Sequence, residues 1–205
     1  WAALGNPGWS YADLLPYFRR AETDAFGGPF HGSDGPVPIS RVATEDLNPV
    51  DRAVVAAATE LGFNWCADLN GQPAQHPCIG PTPKNVADGK RMHAAATYLA
   101  PARQRPNLAV LPDGLVDYVC IEDGRATGVR LADGREVHAR QIILCAGAYG
   151  SAAILLRSGI GPTAHLQEMG IPVVVARPGV GAHLLDHPDF IFATGDDFAP
   201  FKIRP

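Results

Sequence analysis

No stretch of this 205-residue chain approaches the roughly 20 consecutive apolar residues that a membrane-spanning helix needs. Its 17 lysines and arginines do not cluster, and 21 acidic residues leave a net charge of −4. Without a basic patch there is no electrostatic footprint for a phosphate backbone or an anionic lipid surface, so neither nucleic acid nor membrane is expected as a partner. Cysteine is scarce, and Cys66, Cys78, Cys120 and Cys145 show no C-x-x-C spacing, which argues against a zinc site. Cys120 and Cys145 lie in apolar strand-like runs and read as buried, inert thiols. Cys66 and Cys78 flank a Pro/Gly/Asn loop and either pair or stay reduced, the reduced state of an intracellular protein being favoured. The favoured compartment is the cytoplasm; no signal peptide is visible, although the chain starts at Trp1 rather than Met. Internal repeats and low-complexity tracts are also missing, and an apolar fraction of 46% is ordinary for a globular core of one or two domains.

What is there begins with helices and loops. Ser10–Ala21 reads as an amphipathic helix, with Ser10 and Asp13 in a capping-box pattern and Leu14, Leu15, Tyr17 and Phe18 as its apolar face. Pro16 lacks the N–H an interior position donates, so a kink or break is expected there. A Gly/Pro/His-rich loop leads to Val37–Ile39, a short strand, and Asn48-Pro49 opens a second helix closed by Gly62. Residues 63–90 are loop-rich, and Met92–Tyr98 reads as a further short helix.

From Arg105 the texture changes to strands: Asn107–Leu111, Val116–Glu122, Ala126–Leu131, Glu136–Ala139 and Gln141–Cys145. Asp123-Gly124 and Asp133-Gly134 are hairpin dipeptides, because Gly accepts the positive φ such turns require. Gln141–Cys145 then runs into AGAYGSAAILLRSGIG, residues 146–161, which reads as a strand, a small-residue turn and a helix with Ser151 as N-cap and Gly159 as its left-handed C′ residue. That arrangement lets a backbone approach a phosphate or ribose closely, and it also serves simply to pack helix on strand. Thr163–Met169, closed by Gly170, is a last short helix and Pro172–Ala176 a last strand.

These motifs resemble, in order, those of the glucose–methanol–choline (GMC) family of FAD-dependent alcohol oxidoreductases. The matching segments are Trp1–Phe18, HGSDGPV at 31–37, DGKRMHAAATYL at 88–99, RPNL at 105–108, the AGAYGS…SGIGP run, and GVGAHLLDHP at 179–188. Ala152 stands where the family usually has Pro, and His183 where it usually has Asn. The resemblance implies an α/β fold: part of an FAD-binding sheet with an antiparallel excursion, plus part of an α+β substrate domain. Residues 1–100 are then the substrate side and flavin-lid segments, 101–178 part of the FAD-binding domain, and 179–205 the start of the return into the substrate domain. The family's pyrophosphate-binding G-x-G-x-x-G and its catalytic His pair are not found in this sequence. An internal piece of a longer protein is therefore expected, its partners being a small-molecule alcohol and the N- and C-terminal parts of the same protein.

The activity implied is hydride transfer from a primary or secondary alcohol to flavin, as in choline dehydrogenase. Alternatives are a hydroxynitrile lyase-like member with structural FAD and a truncated, non-catalytic binding module. Val116 matches the family position whose backbone meets the adenine of FAD, and otherwise it is an ordinary strand valine. Ala146 and Gly147 match the residues placed against the adenosine half, where bulk would push the ligand away; close strand–helix packing is the other reading. No residue of the chain is assigned a catalytic or metal role. Asp186 and His187 sit next to each other but point to opposite faces of an extended strand, so they make no dyad. His31, His76, His93, His138, His165 and His183 lack metal-ligand spacing and read as surface or hydrogen-bonded histidines. The loop Asp68–Gly89 resembles the family region over the flavin, where Asn70, Asn85 and Arg91 would shape a lid or bridge domains.

Overall fold

Ser10, in extended conformation, begins a helix, because its hydroxyl accepts the Asp13 N–H at 3.2 Å while Asp13 Oδ2 accepts the Ser10 N–H at 3.1 Å. This capping box holds the Asp13 carboxyl below its ordinary pKa through its hydrogen bonds to Ser10. The structure is a computed structural model and describes residues 1–71 and 77–186. The chain divides into two units, Trp1–Val110 and Leu111–Pro205. The described residues after Pro178 group with the second unit.

In the first unit, helix α1 (Tyr11–Ala21) continues through Pro16, so the helix does not break there. The loss is confined to one backbone bond on an exposed turn, where water can satisfy the freed carbonyl. Strand β1 (Glu22–Asp24) pairs in parallel with β2 (Val37–Ile39), the expected short strand. Helix α2 (Pro49–Glu60) starts as expected, with Asn48 Oδ1 accepting the Asp51 N–H at 2.8 Å and Pro49 in the first turn. Strand β3 (Asn64–Trp65) pairs in parallel with β4 (Cys78–Ile79), and β5 (Val86–Ala87) with β6 (Lys90–Arg91) in an antiparallel hairpin. The helix expected at Met92–Tyr98 starts later, as a π-turn over Ala95–Leu99 continuing into α3 (Ala100–Ala102). Met92 instead belongs to the hairpin base, where its N–H donates to the Asn85 carbonyl at 2.7 Å.

The second unit is built on a three-stranded antiparallel sheet of β7 (Val116–Glu122), β8 (Arg125–Leu131) and β9 (Glu136–His138), the expected excursion. Asp123 and Gly124 take φ of 48° and 76°, as a tight hairpin turn requires. Helix α4 (Gly147–Arg157) packs on β7. It is followed by β10 (Ile160–Gly161), α5 (Thr163–Glu168) and β11 (Val175–Ala176), with β10 and β11 paired in parallel. Val119, Leu131, Ile154 and the fully enclosed Leu166 form the core. Ser158 joins strand to helix from within it: its hydroxyl accepts the Val119 N–H at 2.8 Å and donates to the Ile154 carbonyl at 2.7 Å.

Two sequence expectations fail here. Asn107–Leu111 and Gln141–Cys145 are not strands. A strand exists only as part of a ladder, and among the described residues no strand pairs with either segment. Ile143 is accordingly 75% exposed. The last strand is also shorter than Pro172–Ala176, because only Val175 and Ala176 reach the register of β10.

Candidate functional site

Helix α4 begins at Gly147, four residues before the expected N-cap Ser151. Ser151 lies inside the helix and reaches back, its Oγ accepting the Ala146 N–H at 3.0 Å. The serine still serves the helix N-terminus, from the inside rather than from the cap, and the other first-turn N–H groups stay available. Gly147 has φ 79°, a left-handed value that L side chains adopt only with strain. A Cβ built there would meet nothing within 4 Å. Among the described residues of this chain, no neighbouring strand packs against Gly147. What demands glycine locally is the backbone turn.

The three residues singled out from sequence all belong to the β7–α4 pair. Val116 begins β7, and its carbonyl accepts a 3.3 Å bond from Arg157 Nη2 in the last turn of α4, while Arg157 Nε donates to the Asp117 carbonyl at 2.8 Å. A carbonyl oxygen has two lone pairs, so Val116 keeps capacity for a second donor. Ala146 and Gly147 stand at the opposite end of the same helix, exposed. Beside them, Ala148, Ala152 and Ala153 face residues 181–185 across a groove of about 530 Å³. His183 in that segment takes φ 57°, a left-handed conformation that His and Asn both tolerate better than most side chains, which accounts for this departure from the family pattern. His187 lies outside the described residues, as does His76.

Asn85 is a hairpin clamp, its Nδ2 donating to the Met92 carbonyl at 2.8 Å, and Arg91 lies exposed in β6. The Asn70 N–H donates to Asp68 Oδ1 at 3.2 Å. Cys66, just after β3, and Cys78, in β4, are free thiols, and burial first, then the Cys66 thiol, pushes the Cys78 thiol up. Cys120 is half-buried, but Cys145 is exposed, against the expectation of an enclosed thiol, because Gln141–Cys145 has no ladder to enclose it.

Sequence reading missed one cluster. His31, read as a surface or hydrogen-bonded histidine, is 5% exposed and lies among Glu22, Asp24 and Asp68. Glu22, Asp24 and His31 bring ligand atoms within 4.8 Å of one another, a group that could hold a metal ion. The protein's own cation already sits against it, because Arg41 Nη1 donates to both Asp24 oxygens at 2.8 Å. The available signal was the HGSDGP motif: a side chain at Gly32 would run into the Arg19 carbonyl, and one at Gly35 into the Glu22 backbone. Glycines at both places let this loop fold directly onto α1 and β1, which carries His31 inside.

Comparison with known proteins gives consistent matches. The family model described as GMC oxidoreductase matches residues 1–189. Oxygen-dependent choline dehydrogenase of Rhizobium etli (strain CIAT 652) is 41% identical over 198 residues, covering 94% of this chain and 35% of the relative. The crystal structure of pyridoxine 4-oxidase from Mesorbium loti superposes with a TM-score of 0.76 at 34% identity, over 85% of this chain and 35% of that one. An FAD-dependent oxidoreductase from Chaetomium thermophilum gives 0.77 at 32% identity, over 87% and 34%. The chain thus spans about a third of the length of these relatives.

Proposed function

Because the chain belongs to the GMC oxidoreductase family, we propose that it is part of an FAD-dependent alcohol oxidoreductase of the choline dehydrogenase type. The observation that carries this reading is the 41% identity to a choline dehydrogenase across 94% of the chain. FAD is the cofactor, and when bound it supplies the redox chemistry, accepting the electrons released as an alcohol becomes a carbonyl.

The residues present fit such a group. Gly147 offers a left-handed turn with open space where a side chain would stand, at a helix N-terminus whose unpaired N–H groups suit a ribose or phosphate oxygen. Ala146 keeps its own N–H occupied by Ser151, so it contributes small size rather than a donor. Val116 presents a carbonyl with a free lone pair to the exocyclic amine of adenine. Residues 101–178 are assigned to the cofactor side, 1–100 to the substrate side with 68–89 bordering the flavin, and 179–205 to the start of the return into the substrate domain. No observation favours the hydroxynitrile lyase-like or non-catalytic readings.

The test is Gly147→Leu in the full-length protein. A leucine at this positive φ costs the fold about 1–2 kcal/mol, while flavin absorbance is lost. Dye reduction with choline and a panel of primary and secondary alcohols then identifies the substrate class in the unaltered protein. A Gly147→Leu protein that stays yellow overturns the cofactor assignment. A flavin-loaded parent that oxidises no alcohol overturns the activity.

A further inference from the structure

We propose that His31, doubly protonated, is a latch that fastens residues 66–71 to β1, and that loss of one proton releases them. The ring is 4% exposed and is held from both sides. Its Nδ1 lies 3.0 Å from Glu22 Oε1 and 3.2 Å from Asp24 Oδ2, and its Nε2 lies 2.7 Å from Asp68 Oδ2. A neutral imidazole has one N–H, so one nitrogen would turn a lone pair toward a carboxylate. Only the imidazolium donates in both directions.

The surrounding charges come from four places in the unit. Arg19 of α1 donates from Nε to the His31 carbonyl at 3.1 Å, and β1 contributes Glu22 and Asp24. Arg41, beyond β2, joins Asp24 to Asp68, its Nη2 reaching Asp68 Oδ1 at 2.8 Å. Asp68 itself follows β3. With His31 charged, the three carboxylates balance Arg19, Arg41 and His31; with His31 neutral, they are in excess by one. Burial is the largest single influence on His31 and pushes its pKa down, but Asp68, Glu22 and Asp24 together outweigh it and raise the value.

The Asp68 side is the one that lets go. Asp24 is anchored independently by Arg41 and by the Phe26 N–H at 3.0 Å, and Glu22 Oε1 also accepts the Gly32 N–H at 3.4 Å. A single proton on Nδ1 therefore keeps two anchored acceptors, and the Nε2 lone pair then faces Asp68. The Asn70 N–H on that carboxylate belongs to the same segment, so Arg41 is left as the cross-link to β1, and its buried Nε already lacks a hydrogen-bond partner. The latch is closed in mildly acidic solution and opens as the pH rises through the His31 value.

Hydrogen–deuterium exchange of the full-length holoprotein tests this, corrected for intrinsic rates, between about pH 6 and pH 9. Protection of peptides covering 64–71 should fall about tenfold or more over that range, while peptides covering β1 hold theirs. His31→Gln should sit at the high-pH level throughout. Asp68→Asn, which cannot repel a neutral imidazole, should remove the pH dependence and serves equally if His31→Gln does not fold. Unchanged protection of 64–71 across the range, or a fall that persists in either variant, overturns the proposal.

Discussion

The two units fill their interiors with opposite chemistry. Among the described residues of the first, the buried side chains are Asp24, His31, Thr97 and Leu47, with Arg41 only 8% exposed. The second encloses Val119, Leu131, Ile154 and Leu166 around one bridging serine. An apolar core spreads its stabilisation over many weak contacts and does not titrate. An ionic interior concentrates it in a few atoms: a buried pair contributes little net over an apolar replacement, yet removing one partner strands the other. The first unit is therefore the one in which a single substitution, or a single proton, should matter most.

The largest expected effect is Asp24→Ala, which strips Arg41 of its two bonds to Asp24 and should cost about 3–5 kcal/mol in urea denaturation of the full-length protein. Leu166→Ala should cost about 3 kcal/mol by cavity formation. If Leu166→Ala proves much the more damaging, the contrast between the units is not the one described. Ser158→Ala should cost about 2 kcal/mol, because it leaves the buried Val119 N–H unpaired.

Acidity should separate the units further. His31 has its folded value raised above 6.5, so its contribution is complete below that pH and disappears as pH climbs through the raised value. Asp68 is opposite: burial raises it, but His31, the Asn70 N–H and Arg41 hold it below 3.8, so its contribution is present above that pH and is lost on acidification through the lowered value. Local stability of the first unit, followed by exchange, should form a plateau with two falling edges, and His31→Gln should flatten the alkaline edge. The smallest effect belongs to Arg130→Gln, whose 2.6 Å pair with Glu136 lies on the surface and is screened by water. An unchanged denaturation midpoint is the expected result there.

Local chemistry made part of this legible in advance. Ser10, Asn48, Pro49, Gly62 and the Asp123-Gly124 turn act through neighbours a few residues away, and their elements appear where the residues indicate. The candidate cofactor residues were legible from the ordered motifs, although the positive φ that demands glycine at position 147 was not. Ser151 misled because a serine five residues along can serve the same helix end from inside. Asn107–Leu111 and Gln141–Cys145 are not strands here, because a strand needs a partner and none of the described strands pairs with either segment.

By itself, then, the sequence determined the caps, the hairpins, the absence of a long apolar span or a basic patch, and the order of motifs that marks the family. These depend on short-range hydrogen bonding, on backbone preference and on composition, all of which are written along the chain. Tertiary structure alone decided that His31, Arg41 and Asp68 meet around Asp24, because residues up to 44 positions apart share no local signal. It also decided that His31 is enclosed between carboxylates rather than exposed. Whether a histidine is an ordinary surface group or a charged cross-link depends on what the fold brings to both of its nitrogens, and only the folded chain brings anything there.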